Sequence, residues 1–128
     1  MGRQVSVSEK KPTAKVVHFT DVPAEEFGDE APGVSIRLLI DAERDGAPVY
    51  VLRMIEVSPG CRTPDHSHPF EHENFVVEGT GEVVIEGGRH PVAQGDVVFV
   101  PPGVQHTYRN TAEVTLRFLC GIPVSRPC

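Results

Sequence analysis

The chain has 128 residues, with 18 Asp and Glu against 12 Lys and Arg and a net charge of −6 when histidine is neutral. That length suits one domain with a packed core, and the acidic balance argues against nucleic acid as a partner, because phosphate binding needs a basic surface. No stretch reaches the roughly 20 apolar residues of a membrane helix, and the N-terminal MGRQVSVSEKKPTAK lacks the apolar segment of a signal peptide, so the expected location is the cytoplasm.

Residues 1–14 are polar, carry Pro12, and are expected to form an arm outside the folded body. Ala14–Phe19 (AKVVHF) predicts a short strand, and the acidic, turn-rich stretch 20–33 predicts at most one helical turn, at Pro23–Phe27. Val34–Ile40 (VSIRLLI) and Pro48–Val57 (PVYVLRMIEV) predict strands, joined by the loop 41–48 with Asp45-Gly46 as its turn signal. Beyond Gly60 the strand candidates come quickly: Asn74–Glu78, Glu82–Glu86, Arg89–Ala93, Asp96–Val100, Gln105–Arg109 and Val114–Gly121. Glycine, proline and asparagine pairs separate them, and there are 12 glycines and 12 prolines in all. Short strands at this spacing indicate an all-β sandwich or barrel with no packed helix. The folded body is expected over residues 15–123, with a tail at 124–128. Cys61, Cys120 and Cys128 make an odd count, which most simply means free thiols.

Four histidines stand out. Three lie in His66-Ser67-His68-Pro69-Phe70-Glu71-His72, and the fourth is His106 in Pro101-Pro102-Gly103-Val104-Gln105-His106. Alternation along an extended segment puts His66 and His68 on one face. A turn can bring His72 to the same place, and a later strand can add His106. Neutral imidazole is the commonest protein ligand for a divalent transition metal. His18 and His90 fit no such arrangement and read as surface residues.

The pattern resembles a small single-domain cupin, a double-stranded β-helix of the jelly-roll kind. One motif of that family is matched by Gly95, Pro101, Gly103, His106 and Asn110, and the other by Gly60, His66, His68 and Gly79. Counted back from Gly79, the family's glutamate position holds His72. Strand phase supports this count, because an inward His72 leaves Glu73 facing outward. The chain is therefore similar to the four-histidine subgroup of cupins. The resemblance implies metal binding by His66, His68, His72 and His106, with manganese or iron favoured and copper, nickel or zinc as alternatives.

Four neutral imidazoles leave the +2 charge of such an ion uncompensated, which favours anionic ligands. Two positions of an octahedral ion stay open, the arrangement oxygenases use. The expected activity is that of a metal-dependent oxidoreductase, dioxygenase- or peroxidase-like, on a small unsaturated, enolisable or anionic substrate. The alternatives are a non-catalytic binder of small molecules or metal, and an isomerase or lyase of a sugar or keto acid. Parity along the strands puts Arg53, Asn74, Phe118 and Cys120 at the pocket. Apolar residues on the outward faces of NFVVE and DVVFV predict a homodimer.

Overall fold

The computed structural model describes residues 10–124. Among the described residues there are nine strands: Glu25–Glu26 (β1), Val34–Ile40 (β2), Tyr50–Val57 (β3), His72–Glu78 (β4), Thr80–Ile85 (β5), Gly88–Ala93 (β6), Val97–Val100 (β7), His106–Arg109 (β8) and Leu116–Pro123 (β9). One sheet has the order β1-β2-β3-β9-β4-β7 and the other the order β6-β5-β8. Every pairing is antiparallel. This is a single-domain β-barrel of the jelly-roll kind. Among the described residues no helix is long and apolar enough to cross a membrane.

The strand neighbours β3, β9, β4 and β7 are far apart in sequence, so the larger sheet forms only when the whole chain closes. Its inner face is written by period-two alternation. Val57 lies opposite Leu116, Ile55 opposite Phe118, and Phe118 opposite Val76. These side chains, with Val34 and Val83, fill one end of the barrel. At that end Gly79 takes φ +91, and a Cβ there would come within 2.6 Å of the Thr115 carbonyl oxygen. A side chain would therefore push the β4–β5 turn off the start of β9. Asn110 locks the same end. It is buried, and its amide donates to the carbonyls of Val57 at 2.9 Å and Val114 at 2.8 Å.

Two local expectations are corrected. Ala14–Lys15–Val16–Val17–His18 forms no strand, and Val16 is fully exposed. The short strand β1 occupies the edge of β2 instead, so the apolar pair Val16–Val17 has no sheet to join. The helical turn falls at Phe19–Asp21 rather than Pro23–Phe27, capped by the His18 side chain. The loop 41–48 contains one further turn of helix, Ala42–Asp45, with Asp41 accepting from the Arg44 amide and Gly46 closing it at φ 70. Of the expected arm and tail, residues 1–9 and 125–128 lie outside the described residues.

Candidate metal centre

The four histidines come from three places in the chain. His66 lies in the segment after β3 and forms a bridge to His106, with backbone hydrogen bonds of 3.2 and 3.0 Å in the two directions. His68 is tied down by its carbonyl, which accepts from the Gly103 amide at 2.6 Å. His72 opens β4, and His106 opens β8. The ligand nitrogens of His66, His68 and His106 lie within 4.8 Å of one another, so three donors can converge on one ion. His72 is beside them, its ring centroid 4.8 Å from that of His68 and 5.1 Å from that of His106.

The hydrogen bonds decide which nitrogen each ring offers. His106 Nδ1 stands 3.0 Å from the Val104 carbonyl oxygen. A carbonyl only accepts, so Nδ1 carries the proton and Nε2 keeps its lone pair. His72 Nδ1 lies 3.1 Å from Cys120 Sγ, while its Nε2 is buried with no hydrogen-bond partner. A buried imidazole nitrogen left without a partner is costly, and a metal ion at that point would remove the cost. The donor set thus fits a divalent transition metal.

Burial and mutual repulsion keep these rings neutral. Desolvation, then the charges of neighbouring His66 and His106, push His68 down to about 4. Desolvation, then His106 and His68, push His72 down to about 3. His66 is lowered by burial first and then by His106, against the opposing charges of Glu30 and Asp65. At neutral pH every one of these three imidazoles has an unprotonated nitrogen to offer. Glu71 and Glu73 are exposed. Glu73 sits on the face opposite His72, so no carboxylate takes the position that His72 fills.

All eight residues singled out from the sequence border one cavity of about 120 Å³, open to solvent. Phe118 walls it. Across the sheet, Arg53 pairs with Cys120 and Cys120 with Asn74, which sets the three in one row. Asn74 is held in place by both ends of its amide. Its Nδ2 donates to the Leu119 carbonyl at 3.2 Å and its Oδ1 accepts from the Tyr108 hydroxyl at 2.8 Å. Cys120 is more than filler, because its sulfur meets both His72 Nδ1 and Arg53 Nη2, the latter at 2.9 Å.

Residues beyond those expected also line the cavity: Phe27, Ile55, Thr63, Pro64 and Tyr108. Tyr108 was within reach of the sequence, being two residues beyond His106 on the same strand face. It stacks on Phe118 with ring centroids 4.0 Å apart. Phe27 comes from the loop before β2, and no local pattern announces it. Among the described residues no Asp or Glu lines the cavity. Its polar side-chain groups are ring nitrogens, one guanidinium, a thiol, the hydroxyls of Thr63 and Tyr108 and the Asn74 amide, set among aromatic and aliphatic walls.

A family model described as a cupin domain matches residues 53–122. The structure of the polyketide cyclase RemF from Streptomyces resistomycificus superposes with a TM-score of 0.83 at 39% identity, covering 91% of this chain and 83% of that one. Protein SchB of Streptomyces halstedii is 32% identical over 107 residues, 83% of this chain and 75% of that protein. The oxalate-binding protein of Thermotoga maritima is 26% identical over 117 residues, 88% of this chain and 97% of that protein. The names of these relatives give no support to the oxidoreductase expected from the sequence.

Proposed function

The chain belongs to the cupin family, and from that premise we propose that it is a metal-dependent cyclase, closing rings in poly-β-carbonyl compounds by intramolecular aldol chemistry. The observation that carries the reading is the make-up of the cavity. Every group that can meet a guest's oxygen there is a nitrogen, hydroxyl or thiol, no carboxylate is present, and the walls are aromatic and aliphatic. The similarity to RemF supports the reading.

In this reading His66, His68, His72 and His106 hold one divalent ion. Bound there, the ion supplies Lewis acidity, which makes a C–H beside a carbonyl more acidic. All-nitrogen donors suit manganese, iron, copper, nickel or zinc alike, and aldol chemistry needs no redox change. Because the cavity holds no carboxylate base, the substrate must bring its own acidity. A CH₂ flanked by two carbonyls does so. Phe118, Tyr108 and Phe27 present flat apolar surface against which a folded carbon chain can pack. We also propose a homodimer through Phe75, Val97 and Phe99, which are exposed on the outer face of β4 and β7. A single-copy mass in light scattering would remove that part.

The experiment is an anaerobic incubation with a linear poly-β-ketone, followed by mass spectrometry for the ring-closed, dehydrated product. The reading expects product from the metal-loaded protein and none after chelation. Product that forms equally with chelated protein, or only when oxygen is admitted, overturns it.

A further inference from the structure

Among the described residues that line the cavity, one side chain is cationic, and it is not one of the four histidines. Arg53 leaves β3 on the inner face, opposite Cys120. Its Nη2 donates to Cys120 Sγ, and its Nε is buried without any partner. Among the described residues no carboxylate forms an ion pair with it. A thiol is a weak acceptor and compensates no charge. The guanidinium adds to the depression of the His66, His68 and His72 imidazoles, so it stands on their side of the cavity.

Arg53 is half-buried, and its buried Nε–H left without an acceptor costs stability. Three positions along the same strand, Glu56 is satisfied by Arg37, Arg117 and Ser35 on the outer face. The fold therefore can neutralise a charge on β3, and at Arg53 it does not. A guanidinium offers a planar fork of N–H donors that matches the two oxygens of a carboxylate. Nε–H is one free tine of that fork.

We propose that Arg53 is the binding residue for a carboxylate on the substrate, so that the cavity takes β-keto acids in preference to their neutral esters. The carboxylate seats on Arg53 while the keto end lies toward the histidines. This rests on the cyclase reading for the keto end alone.

The test uses Mn²⁺-loaded protein and two probes that differ only in charge, acetoacetate and methyl acetoacetate, with affinities read by calorimetry. Arg53→Gln should weaken acetoacetate by about tenfold or more, while the ester changes by less than about twofold. Arg53→Lys should recover part of the loss. Because Arg53 is uncompensated in the free protein, Arg53→Gln should melt no lower than the parent, which an arginine kept for structure would not allow. The assignment is overturned if acid and ester weaken together, if neither changes, or if the parent protein binds neither probe. Acid-selective binding without any ring-closed product leaves Arg53 assigned and removes the cyclase reading.

Discussion

Strand β3 carries two charged residues that face opposite ways, and their surroundings differ in kind. On the outer face the Glu56 carboxylate accepts from Ser35 at 3.2 Å, Arg37 at 3.2 Å and Arg117 at 2.6 Å, and Arg117 reaches on to Glu78 at 2.8 Å. Burial alone would raise the Glu56 carboxyl, but the hydrogen bonds and charges of Arg117 and Arg37 outweigh it and hold the group below its usual range. Positive and negative charge close on each other there. On the inner face Arg53 and the histidines gather donors and lone pairs, and among the described residues no carboxylate lines that cavity, although Glu30 and Asp65 act on His66 from outside it. The outer cluster is complete as it stands and holds the sheet together. The inner one leaves His72 Nε2 and Arg53 Nε without partners, which the proposed metal and guest would satisfy.

The contrast should break first at the imidazoles. His106→Ala removes the ligand whose tautomer the Val104 carbonyl fixes, and metal affinity in a chelator competition should drop by more than about 100-fold, with little loss of stability. The outer cluster should respond the other way. Glu56→Gln leaves Arg37 and Arg117 facing each other and should cost about 3 kcal/mol in urea unfolding, with metal affinity unchanged. If Glu56→Gln weakens the metal instead, the two clusters are not separable. Cys120→Ala frees the His72 ring to turn and should weaken the metal by about tenfold. Equal affinity in that variant would show that the sulfur does not orient His72.

Acid should sharpen the contrast least abruptly. Unfolded histidines protonate near a pH of about 6.5, whereas folded His68 and His72 resist to about 4 and about 3. Between those values the unfolded chain binds more protons, so the stability of metal-free protein is fully present above about pH 6.5 and falls as pH drops toward 4. Melting temperatures of chelated protein at successive pH values check this. A flat profile across that window contradicts the burial of neutral imidazoles.

Much of the site was legible because its spacing is local. His66, His68 and His72 fall within seven residues, and the phase of β4 alone put Glu73 outside. Leu116, Phe118 and Cys120 alternate inward along β9 as parity required. What stayed hidden depends on contacts between segments distant in the chain. The Tyr108 hydroxyl spends the Asn74 amide from 34 residues away, and Cys120 orients His72 from 48 residues away. Phe27 reaches the cavity from a loop without periodicity. The mistaken strand at Ala14–Phe19 has the same origin, since an apolar, β-branched run forms a strand only when a sheet edge is open to it.

X-ray absorption at the metal edge of the loaded protein tests the central claim most directly, because the scattering pattern of imidazole rings is distinct from that of a carboxylate. The account predicts four imidazoles and no protein carboxylate around the ion, falling to three imidazoles in His72→Ala. A carboxylate among the protein ligands, or an identical spectrum in His72→Ala, would contradict it.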